Sequence, residues 1–292
     1  MAHKAGFVGI IGKPNVGKST LMNRLVGEGL SIVTHKAQTT RHRIKGILNT
    51  EDYQIVFSDT PGILEPHYLL QEKMMEFVKA TLEDADAVLF ISDISEAYMD
   101  ETIIERLLAI KTPIIVVINK IDLSTQEEIN KLVHGWKKKL KPLAVIPVSA
   151  LNKFNTEKIL ETLLELIPEA PPYFPKDSLS DANQRFFVSE IIREKIMIHY
   201  QQEIPYSAEV IVESFKEEKN ITRIAATVFV ERESQKGIII GKGGEDVKRI
   251  GTEARIDIEK FLGQKVFLEI FVKVEKEWRK NEGKLRRFGY SL

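Results

Sequence analysis

Two patterns of apolar positions alternate along the first 170 residues. Short unbroken runs of strand length lie at 6–11, 55–57, 87–91, 113–118 and 145–148. Between them apolar residues recur at helical spacing. Leu21, Leu25 and Val26 share one face, and residues 71–82, 101–110, 126–140 and a stretch near 154–166 read as helices. Continuous apolar strands alternating with amphipathic helices predict a three-layer α/β domain with a mostly parallel sheet. One pair departs from this pattern. Residues 44–48 and 53–57 are joined only by the turn-rich Asn49-Thr50-Glu51-Asp52, too short for a crossover, so an antiparallel pair is expected.

The alternation stops at Pro168-Glu169-Ala170-Pro171-Pro172-Tyr173-Phe174-Pro175. Prolines at this density exclude helix and strand interiors and predict a semi-rigid linker. The expected division is a first domain over 1–170, a linker over 171–180 and a second domain over 181–292. In the second domain, 185–199 reads as a helix offering Phe187, Ile191, Ile192 and Ile198 to a core. Strands at 208–212 and 224–230 follow, then two helices around Gly241-Lys242-Gly243-Gly244, the second over 245–261, and a strand at 266–274. That order describes a smaller α+β domain.

Charge and composition change this picture little. The 292 residues suit two domains, and Lys+Arg and Asp+Glu are equal at 42, so global charge names no partner. Cysteine is absent, which excludes disulfides and cysteine-ligated zinc and fits a reducing cytoplasm. No apolar stretch approaches the roughly 18 residues of a membrane span. Met1-Ala2-His3-Lys4 leads straight into a strand, so no signal peptide is expected.

The chemistry lies where strands end. Gly12-Lys13-Pro14-Asn15-Val16-Gly17-Lys18-Ser19, followed by Thr20, fits G-x-x-x-x-G-K-[ST] between a strand and a helix. Such a loop turns its N–H groups onto phosphate oxygens, and the following helix adds its positive end. Lys18 is expected on the β- and γ-phosphates and Ser19 on Mg²⁺. Asp59-Thr60-Pro61-Gly62 ends another strand. Asp59 is placed for Mg²⁺ and Gly62 for the γ-phosphate, although D-x-x-G alone is a common turn. Between these motifs a polar loop carries Thr39 and Thr40, of which Thr40 is favoured to close over Mg²⁺. Asn119-Lys120-Ile121-Asp122 follows the apolar run 113–118. The carboxylate of Asp122 can accept from guanine N1–H and N2–H₂ together, whereas adenine presents a lone pair there. Alone, the tetrapeptide also fits a helix start capped by Asp122. Ser149-Ala150-Leu151 can bring a backbone N–H to guanine O6.

These five elements together resemble the GTP-binding domain of the translation-factor-like GTPases. Many such enzymes orient water with a glutamine after the D-x-x-G glycine; here that residue is Ile63. The chain thus resembles the subgroup with a hydrophobic residue there. That resemblance implies slow intrinsic hydrolysis and a K⁺ ion held by Asn15, which otherwise only shapes the loop. In the second domain, I-I-G-K-G-G and the element order resemble a type II KH domain, whose GXXG loop clamps single-stranded RNA. Gly241, Lys242, Gly243, Gly244 and Lys248 would meet the RNA backbone, while Ile239, Ile240 and Ile250 would line the groove or join the core. In the tail, Lys273, Lys276, Arg279, Lys280, Lys284, Arg286 and Arg287 interleave with Trp278, Phe288 and Tyr290, a composition suited to RNA backbone and bases or to a solvated helix with Trp278 turned inward. The two domains in this order resemble the Era GTPases. The resemblance implies a cytoplasmic, monomeric GTPase that cycles between GTP and GDP, binds 16S ribosomal RNA near its 3′ end, acts in small ribosomal subunit assembly and touches the inner membrane peripherally.

Overall fold

The computed structural model describes residues 3–95 and 101–291; Met1 and Ala2, the start of the stretch expected to lead into the first strand, lie outside the described residues. The chain divides into two compact units. One comprises Met1–Glu65 and Met74–Asp181, the other Pro66–Lys73 and Ala182–Leu292.

The first unit follows the expected alternation. It contains β1 (Lys4–Gly12), α1 (Lys18–Val26), β2 (Ile44–Asn49), β3 (Tyr53–Asp59), most of α2 (Leu69–Asp84), β4 (Ala87–Asp93), α3 (Glu101–Leu108), β5 (Ile114–Asn119), α4 (Gln126–Leu140), β6 (Ala144–Pro147) and α5 (Glu157–Leu166). The sheet order is β2-β3-β1-β4-β5-β6. All adjacent pairs are parallel except β2 with β3, as the short connection requires. Strands β4 and β5 are buried at every position, which is why they read as unbroken apolar runs. The carboxyl ends of β1, β3, β4 and β5 present Gly12, Asp59, Asp93 and Asn119, so the motif residues gather at one edge of the sheet. Helix α5 begins at Glu157, later than the pattern suggested. Lys153 and Asn155 have positive φ, and Phe154 pairs with Ser149 through two backbone hydrogen bonds instead.

The proline-rich stretch is not a free spacer. The side chain of Gln54 accepts from the N–H groups of Tyr173 and Phe174 and donates to the Phe174 carbonyl. Further on, Ile47 N–H donates to Leu179 O and Lys45 pairs with Asp181 at 2.7 Å. Residues 168–181 therefore form a strap on the first unit. Proline removes donors but not carbonyls, and these carbonyls are satisfied by the unit they cross.

The second unit contains α6 (Gln184–His199), α7 (Ile204–Ser207), β7 (Glu209–Glu217), β8 (Ile221–Val230), α8 (Glu233–Ile240), α9 (Glu245–Leu262), β9 (Lys265–Val274) and α10 (Glu282–Arg287). Its sheet order is β7-β8-β9, antiparallel then parallel, with a bulge between Val212 and Ser214. One face of the sheet packs on α6, α8 and α9 through Val188, Ile192, Ile196, Val228, Ile239, Ile250, Ala254 and Ile258.

Candidate functional site

A cavity of about 420 Å³ opens at the carboxyl edge of the first sheet. Pro14, Asn15, Gly17, Lys18, Ser19, Thr20, Thr40, Gly62, Asn119, Lys120, Asp122 and Leu151 all line it. Close approach explains two glycines there. A Cβ on Gly17 would stand 2.2 Å from the Asn119 amide nitrogen, and one on Gly62 would stand 2.7 Å from Pro14. Both positions allow the phosphate loop to sit directly against its neighbours.

Three oxygens converge at one end. Ser19 Oγ donates to Asp59 Oδ2 at 2.6 Å, and Thr40 Oγ1 lies 2.9 Å from Ser19 Oγ and 3.4 Å from Asp59 Oδ2. Asp59 is completely buried, and its Oδ1 has no hydrogen-bond partner among the described residues. Burial pushes the Asp59 carboxyl up, against the bond from Ser19 and the charge of Lys18. A hard divalent cation fits this set of oxygen donors, because it would satisfy Oδ1 and stabilise the buried carboxylate. Thr39 is turned elsewhere; its hydroxyl bonds to Thr34 Oγ1 and the Lys36 carbonyl, both at 2.6 Å.

The other end is held together by Asn119. Its amide donates to the Val16 carbonyl at 2.8 Å and accepts from Ala150 N–H at 3.0 Å, tying the phosphate loop to 149–151. Within 149–151 the Ala150 N–H is thus taken by Asn119, and Ser149 Oγ accepts from Asn152 N–H at 3.2 Å. Gly12, Lys13, Val16, Ser149 and Ala150 lie behind the lining. A Cβ on Gly12 would strike the Ile91 carbonyl at 2.2 Å, and the Lys13 carbonyl accepts from Lys18 Nζ at 2.8 Å. Ile63 packs against the apolar cluster around Phe90 and Trp136.

In the second unit Gly241, Gly243 and Gly244 all have positive φ, and a Cβ on Gly241 would lie 2.2 Å from an Asp246 carboxylate oxygen. Lys242 and Lys248 are exposed beside this turn, which leads into the amino end of α9.

Known proteins resemble this chain over both units. Residues 7–120 match the family model for 50S ribosome-binding GTPases, and residues 203–279 match a KH domain model. Over 291 residues, 99% of this chain and 97% of the relative, the sequence is 45% identical to GTPase Era of Staphylococcus haemolyticus (strain JCSC1435). The chain belongs to the Era GTPase family. Era in complex with MgGDPNP and nucleotides 1506–1542 of 16S ribosomal RNA superimposes with a TM-score of 0.95 at 41% identity, covering 99% of this chain and 100% of that one. An Era variant from Aquifex aeolicus bound to GDP·AlF₄⁻ gives the same TM-score of 0.95, at 41% identity and coverage of 99% and 100%.

Within this Era fold some expected RNA contacts are displaced. Ile239 is fully buried and Ile250 nearly so, both in the core; Ile240 is half-buried, and Ile238, which the pattern did not single out, is exposed. An eight-residue helix turns each isoleucine of the I-I-I run to a different side, and the run itself does not say which faces solvent. The tail aromatics are also interior: Trp278, Phe288 and Tyr290 are buried, and Trp278 Nε1 donates to the Ser207 carbonyl at 2.9 Å. They are not available for base stacking. Lys280 and Arg286 remain exposed, Lys273 lies 3.5 Å from Glu213, and Arg287 stacks on Phe229 and Phe288. The sequence reading also missed Asp93, which ends its strand as Asp59 and Asn119 end theirs, and Leu123, which lines the cavity.

Proposed function

We propose that this Era-family chain is a guanine-nucleotide switch that binds GTP with Mg²⁺, hydrolyses it slowly to GDP and phosphate, and binds 16S ribosomal RNA near its 3′ end in small-subunit assembly. The observation that carries the reading is a single cavity. It joins Ser19 and Thr40, whose hydroxyls meet the buried Asp59 carboxylate behind them, at one end to Asn119, Lys120 and Asp122 at the other. Ser19, Thr40 and Asp59 would hold Mg²⁺, which would neutralise charge on the phosphates. Lys18 and the loop N–H groups orient the triphosphate, and Gly62 and Thr40 answer to its γ-phosphate. Asp122 selects guanine. Ile63 can neither accept nor donate a proton, so hydrolysis depends on positioning and charge alone and is slow. Asn15, exposed at the loop with positive φ and lining the cavity, supplies an amide oxygen for K⁺. The RNA reading rests on the positive-φ glycine turn flanked by Lys242 and Lys248, together with the RNA-bound relative.

Competition between GTP and ATP tests the nucleotide half. GTP is expected to win by roughly 10⁴-fold or more, and Asp122→Ala to abolish the preference; equal binding of the two purines by the unaltered chain would refute it. Crosslinking to RNA in cells, with sequencing of the adducts, tests the other half: adducts should concentrate at the 16S 3′ end, and a scatter over unrelated RNA would remove it.

A further inference from the structure

Lys120, which lines the cavity beside Asn119 and Asp122, adopts a left-handed backbone conformation with φ 62°. A non-glycine residue holds that conformation only when its surroundings determine it. Its ammonium is fixed by Asp93, at 2.6 Å from Oδ2. Asp93 lies at the end of β4, in register with Asn119 on β5, and its side chain is only 7% exposed. Its other oxygen, Oδ1, accepts from Ser95 N–H at 3.0 Å and Ser95 Oγ at 2.5 Å. Burial works against its charge, but the bonds from Lys120 and Ser95 outweigh it and keep the carboxyl below the ordinary range. Asp93 is therefore an ionised, doubly braced anchor. It does not line the cavity; Lys120 does.

We infer that Asp93 is a positioning residue for nucleotide affinity: it clamps the Lys120 ammonium so that the four-carbon stem is held as a wall of the base pocket. Lysine stems readily cover flat apolar surfaces while the charged head is satisfied elsewhere, and a purine ring offers such a surface. A stem free to swing would give up rotamer entropy on every binding event, and the clamp removes that loss beforehand. The wall touches the ring face and not its edge. Asp93 therefore sets how long a nucleotide stays, while Asp122 sets which base is accepted.

The inference rests on the guanine-nucleotide reading, so the test first requires the unaltered chain to bind GDP. Release of a fluorescent GDP analogue is measured by stopped flow for Asp93→Asn, Lys120→Met and the double variant, and GDP is compared with IDP, which lacks the 2-amino group. Asp93→Asn should speed GDP release by about tenfold, the size of a typical coupling between contacting groups. It should add nothing in the Lys120→Met background and leave the GDP-to-IDP affinity ratio unchanged. Loss of guanine preference in Asp122→Ala alongside these results keeps the base-selection reading separate. Unchanged release in Asp93→Asn, an equal loss in the Lys120→Met background, or a shifted GDP-to-IDP ratio would each overturn the clamp. If Asp93→Asn does not fold, Ser95→Ala loosens the same anchor and should speed release in the unaltered background only; release as slow as in the parent would then be the overturning result.

Discussion

Asp59 places a completely buried carboxylate where one oxygen is bonded to Ser19 and the other has no partner among the described residues. Burial raises its folded pKa above the unfolded value of about 3.9. Between those two values the folded chain keeps a proton that the unfolded chain has released. Without metal, stability therefore falls as pH rises through that window. Asp59→Asn removes the effect. In chelator, without nucleotide, the variant should melt above the parent, with a gap that opens as pH rises from about 4 and then levels off. With Mg²⁺ and GDP the order should reverse, because metal binding requires the ionised carboxylate. A variant that melts no higher than its parent in chelator at neutral pH would contradict this. At this scale the meeting of these oxygens was legible in part: Ser19 and Asp59 come from motifs with a chemical reason for each, whereas Thr40 was only favoured over Thr39 within a polar loop. Asp93 was not legible. A lone aspartate ending an apolar run has no signature until the fold sets it beside Asn119 and Lys120.

The C-terminal segment shows what spacing cannot decide for an element. Basic and aromatic residues alternate there, which suits both an RNA surface and a packed helix with a solvated face. The structure divides them by side. Trp278, Leu285, Phe288 and Tyr290 turn inward, Tyr290 donating to Glu209 at 2.5 Å, while Lys280 and Arg286 face solvent. Trp278→Ala should therefore destabilise the second unit by about 3–5 kcal/mol, the usual cost of truncating a buried tryptophan. Lys280→Ala and Arg286→Ala should leave stability within about 0.5 kcal/mol. Urea unfolding followed by far-ultraviolet circular dichroism checks both; a Trp278 effect below about 1 kcal/mol would contradict the packing. The same ambiguity explains the proline strap. Prolines excluded helix and strand, correctly, but composition cannot say whether the carbonyls of such a segment face water or a neighbouring strand. Here Gln54, a buried polar residue at the second position of β3, donates to the Phe174 carbonyl and accepts from the N–H groups of Tyr173 and Phe174. A glutamine leading into the apolar run 55–57 was the available signal.

At the scale of the whole molecule, the alternating and the mixed halves were legible because each pattern admits few folds. Sequence cannot reveal whether the two units exchange free energy. Pro66–Lys73, a few residues beyond the D-x-x-G loop, groups with the second unit and not with the first. On the proposed reading, the loop that would answer to the γ-phosphate is thus continuous in the chain with a segment grouped with the KH unit. If nucleotide state biases that segment, RNA affinity must differ between the GTP-analogue and GDP forms. Linkage then requires the RNA to change the preference for GTP analogue over GDP by the same factor. Couplings of this kind are typically about 5–150-fold. Calorimetric titration of a 16S 3′-end oligonucleotide into each nucleotide form, and of each nucleotide into the RNA complex, closes the cycle. Identical RNA affinities in the GTP-analogue, GDP and nucleotide-free forms would mean that the two units share a chain but not a switch.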